Sequence, residues 1–196
     1  HIQKEVDQAS KDLCEERGPC PDAADYGIKE RFSNKTAIAP TASISIICGG
    51  TSPGIEPIAA NSFTHKTLSG SFNVRNKYLQ QILEKYNKND DETWSGITTN
   101  QGSVSHLDFL TQQEKDVFKT AFEINQQWII ELGADRTPNI SQAQSINIFI
   151  PADVHKKELH QIHFQAWKKG LKSLYYCRSK SIQRAENINS GSSTDV

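Results

Sequence analysis

The sequence predicts an α/β fold with parallel strands. Short β-branched or apolar runs at 36–39, 145–150 and 174–177 read as strands, and helical periodicity fills the stretches between them. The resulting order of strand, helices, strand, helix, strand is the alternation that parallel sheets require. Only three strands are visible, too few to close a barrel alone, and there are no internal repeats.

Residues 6–16 carry Val6, Ala9 and Leu13 at helical spacing, and Gly18, Pro19 and Pro21 end that helix. Residues 36–39, TAIA, form a short strand leading into Pro40. The stretch 40–57, PTASISIICGGTSPGIEP, is dense in Ser, Thr, Gly and Pro. It reads as a loop with room for a short helical turn. Leu79, Ile82, Leu83 and Tyr86 fit i, i+3, i+4, i+7 and predict an amphipathic helix over 76–87. Residues 88–102 are polar and read as an exposed connection.

A second helix begins at Thr111, where Glu114 completes a capping box. Its apolar stripe runs through Val117, Phe118, Ala121, Phe122, Ile124, Trp128, Ile129 and Leu132, and Gly133 is its expected stop. SINIFI, 145–150, alternates polar and apolar residues as a strand does. A third helix spans 153–172, with Leu159, Ile162, His163 and Ala166 on one face. The expected organisation is one domain over 1–185 and a polar, flexible tail over 186–196.

Composition excludes more than it selects. The chain has 196 residues, 36% of them hydrophobic, enough for a real core. Its 22 basic and 23 acidic residues give a formal net charge of -1, so no basic excess points to nucleic acid. No apolar run approaches the roughly 20 residues that cross a bilayer, and HIQKEVDQAS has no signal-peptide character. A soluble, cytoplasmic protein with no membrane partner is expected. Cys14, Cys20, Cys48 and Cys177 match no common zinc spacing and are expected to be reduced thiols. The sequence contains no methionine and begins at His1, which predicts a piece of a longer chain.

Thr41, Ser43 and Ser45 place hydroxyls at alternate positions, and Gly49, Gly50 and Gly54 follow. Hydroxyls, backbone amides and a helix start suit an anion. By composition alone an ordinary Ser/Gly loop fits as well. The segment lacks the Lys of a P-loop and the spacing of a dinucleotide fingerprint.

PTASIS…GGTSPGIEP, 40–57, resembles the substrate-diphosphate loop of ribonucleotide reductase large subunits. THKTLSGSF (64–72), SQAQSINIFI (141–150) and HFQAWKKGLKSLYY (163–176) resemble family segments that follow it in the same order. The resemblance covers about 36–184. It implies the C-terminal part of that family's ten-stranded α/β barrel, incomplete on its own. It also implies that Thr41, Ala42, Ser43, Ile44 and Ser45 bind the substrate diphosphate, Ala42 and Ile44 through backbone amides only.

Tyr175 and Tyr176 are adjacent, and such pairs are usually strand residues facing opposite ways. Here they follow WKKGLKSL, as in class I reductases, and the resemblance implies that the two phenols relay a radical. Tyr175 would be the inner relay toward the catalytic thiol, and Tyr176 the outer one toward the small subunit. Irregular backbone near Tyr175 is expected, to let the rings meet. The pair favours the two-subunit class over cobalamin-dependent reductases, which share the loop but need no relay.

The implied activity is reduction of ribonucleoside diphosphates to 2′-deoxyribonucleoside diphosphates by a radical mechanism. No segment resembles the family's finger loop with its thiyl cysteine, Asn and Glu, nor its reducing cysteine pairs. Activity is therefore expected only with the N-terminal remainder of the large subunit and the small, radical-generating subunit. This segment is expected to hold no cofactor. The complete enzyme would use a metal/tyrosyl radical in the small subunit, ATP or dATP as effectors, and thioredoxin or glutaredoxin as reductant. A non-catalytic phosphate-binding or regulatory fragment is the alternative, as is a segment of a cobalamin-dependent reductase. His155, His160 and His163, at i, i+5, i+8, miss the i, i+4 spacing of a helical metal pair, so no metal site is expected. Glu56 lies near the loop and would orient it.

Overall fold

Parallel pairing organises the molecule. The structure, a computed structural model, describes residues 1–49, 52–67 and 70–179. In chain order its elements are α1 (Ile2–Arg17), α2 (Pro21–Asp25), α3 (Ala42–Ile47), β1 (Ser62–Thr67), β2 (Gly70–Arg75), α4 (Lys77–Lys85), α5 (Asp91–Thr99), α6 (Gln112–Val117), α7 (Gln126–Arg136), β3 (Ile148–Ile150), α8 (Lys156–Lys168) and β4 (Cys177–Ser179). The expected tail over 186–196 lies outside the described residues.

The spine is three extended segments. The middle one runs from about residue 142 into β3. On one edge Ile38 bridges Gln144 in parallel: the Ile38 amide donates to the Ala143 carbonyl at 3.2 Å, and the Ser145 amide to the Ile38 carbonyl at 2.9 Å. On the other edge β4 pairs in parallel with β3, Ile148 opposite Cys177. Just before it, the Tyr175 amide donates to the Ile146 carbonyl and the Ile148 amide to the Tyr176 carbonyl, both at 2.8 Å. Ala143 and Ser145 thus bond one neighbour and Ile146 and Ile148 the other, as a strand flanked on both edges requires.

Two expected strands shrink. Only Ile38 of 36–39 enters a bridge, because Pro40 has no amide to extend the ladder and the Lys35 and Thr36 amides both donate to the Ser141 hydroxyl at 2.8 Å. The last strand begins at Cys177, not Leu174.

Helices α7 and α8 cover one face of the spine. Ile146, Ile148 and Ile150, two apart and so on one face, pack with Ile129 and Ile130 of α7 and Ile162 and Ala166 of α8. Burying each large aliphatic of this set contributes about 1.5–3 kcal/mol. A second cluster holds Leu79 and Leu83 of α4, Trp94 and Ile97 of α5, then Val104, Leu107, Leu110 and Phe118.

Several sequence expectations need correction. The stretch 88–102 is not an exposed connection: it contains α5, capped by Asp90, with Trp94 2% exposed and Ile97 fully buried. The long second helix is broken. Its capping box at Thr111 and Glu114 is present, but α6 ends at Val117. The Thr120 amide and hydroxyl then both donate to Glu123 at 2.8 Å, and Asn125 caps a new helix. The break resets the helical phase, so Val117, Trp128 and Leu132 of the expected apolar stripe lie exposed.

Gly133 does not stop that helix but sits inside α7. A Cβ there would stand 2.7 Å from Ile146 Cδ1 and 3.2 Å from Leu171 Cδ2, so the glycine admits the strand. The third helix spans only Lys156–Lys168, opened by His155 and closed before Gly170, whose φ is 79°. His163, expected on its buried face, is exposed.

The antiparallel hairpin β1–β2, in register from Ser62↔Arg75 to Thr67↔Gly70, was not anticipated. Asn61 anchors its base. Its buried side-chain amide donates to the carbonyls of Gly102 at 2.9 Å and Phe118 at 2.7 Å, and its oxygen accepts from Asn76 at 2.9 Å.

Candidate functional site

The first extended segment ends at Pro40, and α3 starts two residues later. This is a strand-to-helix loop at the carboxyl end of a parallel segment, the usual place for function in α/β sheets. The Thr41 amide and hydroxyl both donate to the Pro53 carbonyl at 3.0 Å, which closes the loop on itself. The first intrahelical bond runs from the Ser45 amide to the Thr41 carbonyl at 2.8 Å. The amides of Ala42, Ser43 and Ile44 therefore have no acceptor within α3. All three residues are exposed, while Ser45 is 6% exposed and its hydroxyl donates to the Ala42 carbonyl at 2.8 Å.

The five expected substrate residues thus divide. Thr41 and Ser45 spend their hydroxyl protons inside the loop, leaving lone pairs that repel an anion. Ala42, Ser43 and Ile44 present amides, and Ser43 adds an exposed hydroxyl. The Lys77 ammonium donates to the Gly49 carbonyl at 3.2 Å and brings positive charge to the far end of α3. Gly50 and Thr51 lie outside the described residues.

Glu56 is 5% exposed. Its carboxylate accepts the Asn147 amide through Oε1 and, at 3.3 Å, the Asn147 side-chain N–H through Oε2. The Ser52 hydroxyl donates to the Glu56 carbonyl at 2.6 Å. A Cβ at residue 54 would lie 2.3 Å from Glu56 Oε2, so a side chain there would require the carboxylate to shift.

Tyr175 and Tyr176 lie in irregular backbone just before β4, and their ring centroids are 4.1 Å apart at 54°. Strand alternation would have sent the rings to opposite faces. Both are about half exposed, and the Arg178 guanidinium lies 5.1 Å from the Tyr176 ring centre. A hydrogen bond to Tyr176 pushes the Tyr175 phenol above its ordinary value; partial burial adds to this, and Arg178 opposes it.

The histidines of α8 have local partners: His155 Nδ1 accepts the Lys157 amide at 3.1 Å, and His160 stacks on Phe164. Among the described residues no three His, Cys, Asp or Glu side chains stand together as metal ligands, and Cys14, Cys20, Cys48 and Cys177 are free thiols. A groove between the starts of α7 and α8, lined by Phe122, Gln126, Phe149, His155 and Gln161, contains none of the expected site residues. No helix among the described residues is long and apolar enough to cross a membrane.

Residues 21–177 match the family model for the ribonucleotide reductase barrel domain. The chain is 49% identical over 193 residues to the ribonucleoside-diphosphate reductase large subunit of Invertebrate iridescent virus 6, covering 96% of this chain and 20% of that one. It is 43% identical over 196 residues to the corresponding subunit of Invertebrate iridescent virus 3, covering 98% of this chain and 31% of that one. Among solved structures it resembles the class Id ribonucleotide reductase alpha subunit of Actinobacillus ureae, with a TM-score of 0.79 and 34% identity over 94% of this chain and 33% of that one. The chain thus spans about a fifth to a third of the length of these relatives. The chain belongs to the ribonucleotide reductase barrel-domain family.

Proposed function

We propose that this chain supplies the substrate-diphosphate loop and a two-tyrosine radical relay to a ribonucleoside-diphosphate reductase. The single observation that carries the relay is the contact of the Tyr175 and Tyr176 rings at 4.1 Å. An ordinary phenol is protonated at neutral pH, and that of Tyr175 is shifted further in this direction. Oxidation must therefore remove a proton with the electron, and a neighbouring phenol oxygen can exchange both. In the loop, the outward amides of Ala42, Ser43 and Ile44 and the Ser43 hydroxyl are donors suited to a diphosphate.

The reaction belongs to the assembled enzyme. The rest of the barrel supplies the reacting cysteines, and the small subunit supplies the radical. Thioredoxin or glutaredoxin restores the thiols, and cytosol is the compartment that fits reduced cysteines. The test is CDP reduction by the complete large subunit paired with its small subunit. Tyr175→Phe and Tyr176→Phe each keep the ring and lose the ionisable proton. Turnover should vanish while CDP affinity stays within about twofold, since a lost hydrogen bond alone costs about 1 kcal/mol and here lies outside the substrate loop. Near-normal turnover in either variant removes the relay.

A further inference from the structure

The buried carboxylate of Glu56 serves neither part of the proposed function directly, yet it stands between them. On the loop side, the Pro53 carbonyl holds the Thr41 amide and hydroxyl, and three residues on, Glu56 turns into the interior. On the strand side, both carboxylate oxygens accept from Asn147. Ile146 and Ile148 face α7 and α8, so Asn147 faces the opposite side of the spine, toward the loop. Its remaining polar atom, Oδ1, accepts the Tyr176 amide at 3.3 Å. Asn147 is thus a two-sided connector. It donates to the substrate loop and accepts from the backbone of the tyrosine pair.

We propose that Glu56 and Asn147 are positioning residues that hold the tyrosine pair in register with the substrate loop, so that occupancy of the loop is felt at Tyr176. The inference rests on the relay and loop readings above. The Tyr175 and Tyr176 backbones are also held by the β ladder through Ile146 and Ile148, which fixes their place along the strand. The Asn147 side-chain amide adds a tie to a different element, the loop that would receive the diphosphate. Gly54 supports this assignment, since any side chain there would displace the Glu56 carboxylate.

The test uses the complete large subunit and has two readouts. Hydrogen exchange at the Tyr176 amide is followed with and without CDP, and CDP reduction is measured with the small subunit. CDP should slow Tyr176 exchange in the parent protein. Asn147→Ala should abolish that response and lower kcat on the order of tenfold, equivalent to about 1.4 kcal/mol of barrier, with KM within about threefold. Glu56→Gln, which preserves volume and one accepting oxygen, should give an intermediate loss and guards against misfolding of the alanine variant. CDP that binds without changing Tyr176 exchange overturns the coupling and leaves the loop reading standing. So does Asn147→Ala turnover within twofold of the parent. Failure of CDP to bind overturns the loop reading and the coupling with it.

Discussion

Gly133 offers a prediction in which two known effects oppose each other. Replacing a helix-interior glycine by alanine ordinarily stabilises by about 1 kcal/mol through backbone entropy. Here the new Cβ would lie 2.7 Å from Ile146 Cδ1, well inside the roughly 4 Å of a normal carbon contact, and 3.2 Å from Leu171 Cδ2. Ile146 is fully buried and cannot swing into solvent. Overpacking of this kind costs about 1–3 kcal/mol, so Gly133→Ala should destabilise α7 by about 0–2 kcal/mol net. Ile146→Val removes the clashing Cδ1 and alone costs about 0.5–1.5 kcal/mol. The two changes should couple, the double variant being more stable than the sum by about 1 kcal/mol. Amide hydrogen exchange across Gln126–Arg136 in the complete subunit reads the local opening free energy directly. Additive effects, or a stabilised Gly133→Ala single variant, would refute the packing role.

Three further outcomes can be checked. Lys35 lies 2.5 Å from Asp7 and 3.3 Å from Glu30 and pins α1 to the first parallel segment. Its hydrogen bond lowers the Asp7 pKa, while Glu30 is lowered first by the Ser10 hydroxyl and then by Lys35. Depressed carboxyls stabilise above their unfolded values and lose that contribution as pH falls below about 4, so Lys35→Met should flatten the acid loss of α1 protection seen by hydrogen exchange. The His106 ring nitrogens are buried without hydrogen-bond partners, and burial, aided by Lys115, lowers its pKa. The fold disfavours the charged ring, so this residue costs increasing stability as pH falls below about 6.5, and His106→Leu should flatten stability across that range and leave it undiminished at pH 7 in a pH-resolved melt. The isolated chain, with Tyr26, Ile47, Trp128 and Trp167 exposed, should self-associate or pack loosely; a sharp cooperative melt of a monomer in sedimentation and calorimetry would contradict this.

What the sequence revealed follows from how local each signal was. The capping box at Thr111 and Glu114 and the 3.6 period of Leu79 and Leu83 are complete within a few residues, and both appear in the structure. The parallel spine was legible because β-branched runs alternated with helices. Helix α5 was not, because Trp94 and Ile97 are its two buried residues and polar neighbours mask the period. The unbroken second helix failed because Thr120 and Glu123 form a second start signal inside an apolar stripe. In the site, hydroxyl spacing suggested that Thr41, Ser43 and Ser45 act alike, whereas long-range closure on Pro53 sets Thr41 apart. The contacts of Glu56 with Asn147 span 91 residues and leave no local trace.

The candidate loop and the tyrosine pair belong to different parallel segments, one on each side of the middle strand. Among the described residues, the spine has three extended segments, with Ile38 on one outer edge and β4 on the other. A sheet with two open edges is a pairing template, and natural proteins cover or close such edges. The relatives are three to five times longer than this chain. The candidate loop and the tyrosine pair are both tied to the middle strand. Loop and tyrosines come from opposite edges, and Asn147 lies between them, bonded to both sides. Substitutions at the outward edges of Ile38 and β4 should therefore change what pairs there before they change the geometry of Thr41 relative to Tyr176.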